Sequence, residues 1–394
     1  MNYLDNKRFK LNILSVDDEP DMELLISQIF RSEIKAEKYR FFFASNGMIA
    51  LEKLKSHPEI SLLLVDINMP VMDGLTLLKS VVAQNNPLLK VIIISAYGDM
   101  DNIRQAMNLG AYDFVTKPID FSDLKLTIEK AETEIQFLMR KQRQSQRLKT
   151  LEADVQAGAI IQNSLLPELE NIRKKFPFLE IADLYSPAKI VGGDFYDIFV
   201  LPDGKLGVIV ADVSGKGIPA AAFMLICHTA TKIFANSYAS PSAILKEVNN
   251  YLVDHNSQSM FVTALLMIFD VENQKLVIAN AGHNKPFVIK NQNVSEMNLP
   301  SNVVLGIIPD YDFEDVEMDF EANQTFFLYT DGLSDAVDQK GKLFGIENIS
   351  SSLNSCKKLS VYQLVNSLKA EVDNFSSGLE PFDDITMVGL RFSK

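Results

Sequence analysis

Aspartates at the ends of apolar runs carry the chemistry available to this chain. Asp194 lies in Val191-Gly192-Gly193-Asp194-Phe195-Tyr196-Asp197, and Asp212 opens Asp212-Val213-Ser214-Gly215-Lys216-Gly217. Between them an alternating apolar run turns at Pro202-Asp203-Gly204-Lys205, which reads as a β-hairpin that sets the two acids side by side. Paired carboxylates repel one another unless a cation or a proton lies between them. The pair therefore implies either a metal site or an aspartate that resists ionisation. Asp331, in Leu328-Tyr329-Thr330-Asp331-Gly332, and Asp383, in Phe382-Asp383-Asp384-Ile385-Thr386, abut two further apolar runs. An all-oxygen, all-aspartate set suits Mg²⁺ or Mn²⁺ rather than zinc.

A second group lies nearer the amino terminus: Asp17 and Asp18, Asp66, Ser95, and Lys117 before Pro118. Each follows a short apolar run, Leu11 to Val16, Leu62 to Val65, Val91 to Ile94 and Tyr112 to Val115. Phe41 to Ala44 adds a fifth strand. Amphipathic segments at Met22 to Ile34, Met48 to Leu54, Leu75 to Val82, Ile103 to Leu109 and from Phe121 onward alternate with these strands. Strict alternation predicts a parallel sheet covered on both faces, with chemistry outside the carboxyl ends of its strands.

These residues carry resemblances to two families. Asp66-Ile67-Asn68-Met69-Pro70-Val71-Met72-Asp73-Gly74, Ser95-Ala96 and Lys117-Pro118 resemble the two-component receiver domain, a flavodoxin-like fold. The resemblance implies Asp66 as phosphoacceptor, with Asp17, Asp18, Asp66 and the Asn68 carbonyl holding Mg²⁺ and Lys117 neutralising phosphoryl oxygens. It implies Ser95 and Phe114 as the switch pair, the hydroxyl drawn inward by the phosphoryl group and the ring turning in behind it. A sensor histidine kinase is the implied phosphodonor.

The carboxyl-terminal motifs, with Asn280-Ala281-Gly282-His283-Asn284 and Ile161-Gln162-Asn163-Ser164-Leu165-Leu166-Pro167, resemble the bacterial PPM protein phosphatases of the SpoIIE/RsbU type. That family implies an α-β-β-α sandwich holding two Mn²⁺ or Mg²⁺ ions. Asp212 would be shared between them, with the Val213 carbonyl, Asp331 and Asp383 on one side and Asp194 on the other. These four aspartates are the implied catalytic set, and water made acidic by the ions attacks phosphorus without a covalent phosphoenzyme. Lys189 is the candidate phosphate-binding cation. His283 has two readings, local hydrogen bonding or protonation of the leaving oxygen, of which the first is favoured. The implied substrate is a phosphorylated anti-sigma-factor antagonist of the STAS type. The other reading, an RssB-like adaptor with an inactive phosphatase fold, predicts missing acids, whereas all four are present.

Length and composition set the frame. At 394 residues, with 47% apolar and 23% charged residues, the chain is ordinary globular protein of two or three domains. A formal charge of −13 disfavours nucleic acid and anionic membrane as partners. Two distant cysteines, Cys227 and Cys356, fit a reducing cytoplasm. No run is read as approaching the roughly 18 apolar residues of a membrane span.

The expected organisation is multidomain, α/β followed by α+β: a receiver domain at 10–122, a helical linker at 123–166 and the phosphatase domain at 167–394. In the linker Phe121, Leu124, Ile128, Ala131, Ile135 and Leu138 recur at heptad spacing. The basic stretch Arg140 to Arg147 interrupts, and Leu148, Leu151 and Val155 resume in a slipped register. The reading is a solvated helix or a coiled coil that pairs two chains, of which the homodimer is favoured. Eight strands are expected after Leu179, with helices at Ile218 to Asn236, Pro241 to His255 and Leu359 to Phe375. In the acidic segment 297–323 only a short strand at Asn302 to Ile307 is expected. A glycine at Gly215 is expected where a side chain would crowd the metal.

Overall fold

A computed structural model describes residues 9–96, 99–300 and 302–393. The chain divides into two compact units, Met1–Thr150 and Leu151–Lys394.

In the first unit, β1 (Leu11–Val16), β2 (Tyr39–Ala44), β3 (Leu62–Asp66), β4 (Lys90–Ala96) and β5 (Asp113–Lys117) form one parallel sheet in the order β2-β1-β3-β4-β5. β3 is buried at every position, as a strand covered on both faces must be. The helices are α1 (Asp21–Ile29), α2 (Arg31–Lys35), α3 (Gly47–Ser56), α4 (Gly74–Val82), α5 (Met100–Asn108) and the start of α6 (Phe121–Asn163). The single helix expected from Met22 to Ile34 is broken at Phe30, where φ is −94° and ψ is 20°. Phe30 is fully buried there, against the rings of Tyr39 and Phe41 at 5.9 and 5.3 Å between centroids. Asp73 caps α4 by accepting from Thr76 N at 2.7 Å, so the segment after Asp66 turns directly into a helix.

Ala50, Leu77, Leu78 and Val81 cover one face of this sheet. Met22, Ile26, Leu124, Ile128, Ala131 and Ile135 cover the other. This corrects the reading of the heptad seam: its first half is the receiver's own core, each buried Leu or Ile contributing about 1.5–3 kcal/mol. The helix nevertheless runs on unbroken for 43 residues. Farther along it Leu148 and Leu151 are exposed, at 58% and 54%.

The second unit opens with the end of α6, then α7 (Leu169–Lys175) and β6 (Leu179–Ser186). The hairpin β7 (Phe195–Val200) and β8 (Leu206–Val213) follows, then α8 (Ile218–Ala235), α9 (Pro241–Asp254), β9 (Val262–Asp270) and β10 (Lys275–Ala281). Next come β11 (Phe287–Lys290), β12 (Asn293–Glu296), β13 (Val316–Asp319), β14 (Thr325–Tyr329), α10 (Asp331–Ser334), α11 (Gly345–Cys356), α12 (Val361–Phe375) and β15 (Ile385–Phe392). Two five-stranded antiparallel sheets result, β13-β10-β9-β8-β7 and β12-β11-β14-β15-β6.

Their inner faces meet in one core that includes Tyr196, Val208, Met267, Phe326, Val388 and Leu390. Phe223, Met224 and Cys227 of α8 with Leu245 and Val248 of α9 pack on the outside of the first sheet. Leu353 of α11 with Leu364, Val365 and Leu368 of α12 pack on the outside of the second. This is a four-layered α-β-β-α sandwich. Contrary to the sequence reading, α8 is by length and composition apolar enough to cross a membrane, but half of it is buried inside this domain.

The strand expected at Asn302 to Ile307 is only a bridge between Leu305 and Val262. Strand pairing in the acidic segment occurs instead at β13, a sheet edge whose outward side is acidic, with Asp319 2.7 Å from Lys275.

Candidate functional site

In the first unit the parallel register delivers the ends of β1, β3 and β5 to one edge. Lys117 Nζ lies 2.7 Å from Asp66 Oδ2, 3.2 Å from Asp17 Oδ2 and 3.1 Å from Glu19 Oε1. Carboxylate oxygens of Asp17, Glu19 and Asp66 all lie within 4.8 Å of one another. Burial pushes the Asp17 carboxyl up, against the pull of its bond from the Glu19 amide and of Lys117. Burial works against a charged Lys117, yet Asp66 and its other acidic neighbours hold the ammonium above the ordinary lysine range. Three acids with one ammonium leave a net negative cradle that suits a small divalent cation.

Asp18 is exposed and lies outside that trio. Glu19 takes the third place because Asp17 Oδ1 accepts from the Glu19 amide at 2.9 Å, a turn that doubles the chain back. Sequence reasoning missed Glu19, since nothing in its type distinguishes it from a solvated acid before Pro20. The Asn68 amide is 3.4 Å from Asp66 Oδ1. Ser95 is buried near the end of β4 with its hydroxyl 3.5 Å from Asp99 Oδ2, and Phe114, half-buried on β5, pairs with Ile93, two positions before Ser95.

In the second unit the hairpin register pairs Phe195 with Ala211, so Asp194 stands opposite Asp212. Asp194 is buried, and its Oδ2 accepts from Thr330 Oγ1 at 2.6 Å and Thr386 Oγ1 at 2.8 Å. A Cβ on Gly193 would fall 2.9 Å from the Val213 carbonyl oxygen, so the loop bearing Asp194 lies against that carbonyl.

Burial and then the Asp212 charge push the Asp194 carboxyl well above its usual range. Asp212, within hydrogen-bonding reach of Asp194, is pushed up to about 7 by burial and then by Asp331, with Asp383 adding to it. Burial and then Asp383 raise Asp331. The four acids thus form a row, Asp194, Asp212, Asp331 and Asp383, in which Asp212 feels the other three. Like charges gathered at this density are the chemistry of a multi-cation site. The donor set, four carboxylates with no nitrogen or sulfur ligand, is of the kind that suits Mg²⁺ or Mn²⁺.

Side chains around the row hold it in place. Asp384, a buried acid beside the row, accepts from Ala188 N at 2.7 Å and Gly193 N at 2.6 Å, clamping the loop that carries Asp194. Asp197 is tied to His228 Nε2 at 3.1 Å and Lys232 Nζ at 2.7 Å, facing α8. His283 is buried, with Nδ1 2.9 Å from Thr263 Oγ1 and Nε2 3.1 Å from the Tyr329 carbonyl oxygen. Burial pushes it down to about 4 against the Tyr329 bond, so it is a neutral strut and not a proton donor at neutral pH. Lys189 is exposed. No described protein atom lies within 4 Å of a Cβ at Gly215, and its φ of +91° by itself calls for glycine. Sequence reasoning assigned no role to Gln162, whose side chain holds the backbone of Gly192, or to Lys216, 2.7 Å from Asp383.

Comparison with known proteins bears on the two domains. The family model of the response regulator receiver domain matches residues 13–129, and that of stage II sporulation protein E (SpoIIE) matches residues 202–393. The chain is a response regulator with a SpoIIE-type phosphatase domain. Protein IcfG of Synechocystis is 24% identical over 265 residues, 60% of this response regulator but only 41% of IcfG. Phosphoserine phosphatase RsbU of Bacillus subtilis is 27% identical over 252 residues, 61% of the present chain and 70% of RsbU. The solved SiaA-PP2C domain of Pseudomonas aeruginosa has the same fold, with a TM-score of 0.57 and 23% identity over 63% of this chain and 99% of that one.

Proposed function

We propose that this response regulator removes phosphate from phosphoserine or phosphothreonine on a partner protein and is controlled by phosphorylation of Asp66. The observation that carries the reading is the row of four acids with Asp212 at its middle, pushed up to about 7 by burial and by its neighbours. A site that holds neutral aspartates at such cost is built to receive cations. Its likeness to a phosphoserine phosphatase, RsbU, supports the same chemistry.

In this mechanism Asp194, Asp212, the Val213 carbonyl, Asp331 and Asp383 would hold two Mn²⁺ or Mg²⁺ ions. When bound, the ions supply charge that offsets the phosphoryl oxygens and makes water acidic near neutral pH. Thr330 and Thr386 fix the Asp194 carboxylate so that one oxygen stays engaged and the other is left for the site. Asp384 and Gln162 hold the Gly192-Gly193 backbone, and with it the distance from Asp194 to Asp212. His283 keeps Tyr329, and the chain leading to Asp331, in register.

The receiver centre takes its phosphoryl group on Asp66 from a sensor histidine kinase, with Mg²⁺ held by the Asp17 and Asp66 carboxylates. Asp18 and the Asn68 carbonyl complete its shell by resemblance, and Lys117 stands ready for the phosphoryl oxygens. The part of α6 beyond the receiver core, with Leu148 and Leu151 exposed, carries the signal and pairs two chains. The substrate is a phosphorylated anti-sigma-factor antagonist of the STAS type. The test is phosphate release from an aryl phosphate and from such a phosphoprotein, with Mn²⁺ and with EDTA, before and after adding beryllium fluoride as a mimic of phospho-Asp66. Mn²⁺-dependent release that the mimic alters is the expected result; no release with Mn²⁺ would leave only an adaptor.

A further inference from the structure

One cation sits in the acid row without a part in the mechanism above. Lys216 follows Asp212 in a turn where Gly215 and Gly217 flank it with φ of +91° and +79°. With those left-handed steps, which glycine adopts freely, the turn doubles back and the Lys216 ammonium lies 2.7 Å from Asp383 Oδ2. The same nitrogen donates to the Phe382 carbonyl oxygen and lies 3.7 Å from the centre of the Phe382 ring. Its charge also reaches Asp331. Phe382 is 69% exposed, so burial does not explain an aromatic ring at this position.

We propose that Lys216 is the phosphate-binding cation of this site, resting on Asp383 until divalent ions take that carboxylate and then held by Phe382 to meet the substrate phosphoryl group. The assignment rests on the phosphatase reading above. A divalent ion on Asp383 draws on the same carboxylate charge that now holds the ammonium, and the two cations repel one another across it. Lys216 therefore yields Asp383 on loading. The flexible four-carbon stem of lysine lets the ammonium move without moving the backbone. The Phe382 ring face and carbonyl remain as its partners, keeping the charge at the mouth of the row. A chain of net charge −13 repels a phosphate dianion at long range, so a local cation at the site offsets a cost that the whole surface imposes. Lys189, the cation nominated from sequence, is exposed and lies within the 188–193 loop that Asp384 clamps at both ends.

The two roles pull in opposite directions, and that is the signature. Lys216→Gln removes a competitor for Asp383, so the full chain should bind Mn²⁺ several-fold more tightly. It also removes a charge-assisted partner of phosphate, so the Mn²⁺-loaded variant should bind inorganic phosphate roughly tenfold more weakly. Both are read by titration calorimetry without turnover. With a phosphopeptide KM should rise while kcat changes little, and Lys216→Arg should restore phosphate affinity. Both affinities falling together would mark a merely structural lysine and overturn the assignment. So would unchanged phosphate binding, or a larger loss in Lys189→Gln than in Lys216→Gln. A chain that hydrolyses no phosphoester but shows the opposed shifts keeps this assignment and loses only the phosphatase reading.

Discussion

Gln162, near the end of the long helix α6, holds both hydrogen-bonding groups of Gly192. Its Nε2 donates to the Gly192 carbonyl oxygen at 2.7 Å and its Oε1 accepts from the Gly192 amide at 3.2 Å, all of them buried. Gly192 stands two residues before Asp194, and Asp384 grips the next amide, so a helix and a strand end fix the loop that carries Asp194 between them.

Replacing Gln162 by Ala leaves two buried backbone groups unpaired, at a cost of about 1–3 kcal/mol. The loop that carries Asp194 then shifts, and sub-ångström errors in a catalytic constellation cost roughly 10- to 100-fold in rate. The expected outcome is a folded variant with weaker Mn²⁺ binding and a lower kcat, measured by calorimetry and phosphate release. Wild-type turnover in Gln162→Ala would remove the helix from any part in the site.

The Asp212→Asn variant should separate activity from stability. Asp212 is pushed up from an ordinary carboxylate value to about 7, so in the metal-free domain its ionisation opposes folding as pH rises from about 4 to 7. Above that window the penalty is fully present. Removing the charge should therefore stabilise the EDTA-treated protein at pH 8 by on the order of 2 kcal/mol, while hydrolysis is abolished. Urea unfolding at pH 8 with EDTA checks the first half and a Mn²⁺ assay the second.

Much of this site was legible in the sequence. Asp194, Asp212, Asp331 and Asp383 stand at the ends of strands whose apolar alternation and turn residues are local signals, and Asp66 and Lys117 end parallel strands in the same way, Asp66 a fully buried one. The residues that went unassigned depend on distant backbone. Gln162 reaches across 30 positions to Gly192 and Lys216 across 166 to Phe382; no periodicity encodes such meetings. The heptad seam misled because spacing shows that a helix has an apolar stripe but not which surface covers it. β13 and α11 were missed for opposite reasons. β13 is a four-residue edge with only Val316 and Met318 apolar, and α11 is rich in serine, a weak helix former.

His283 gives a pH dependence of its own. Its folded value of about 4 lies below the free value of 6.5, because burial disfavours the imidazolium and outweighs the Tyr329 carbonyl. A depressed histidine contributes stability that is whole above pH 6.5 and is lost as pH falls toward 4, up to roughly 3 kcal/mol. His283→Gln should be less stable at pH 7.5 yet lose less on acidification. Urea midpoints of the two proteins at pH 7.5 and 5 test this, and parallel losses would show that His283 does not titrate in this window.

The long helix makes two different demands on its apolar residues, and variants should tell them apart. Leu124 and Ile128 are fully buried in the receiver core, so Ile128→Ala should destabilise that domain by about 2–5 kcal/mol through the cavity it leaves, whatever the oligomeric state. Leu148 and Leu151 are exposed at 58% and 54% and lie three residues apart on one side of the helix. Charged substitutions there lose no core contact and should alter folding stability by no more than about 0.5 kcal/mol. If two chains pair along this stretch, the same substitutions place like charges in the seam and the pairing fails. Leu148→Asp with Leu151→Asp should thus convert a dimer to a monomer in light scattering while the melting temperature of each domain stays near wild type. A wild-type chain already monomeric at working concentration, or a double variant of unchanged mass, would exclude this stretch as the seam.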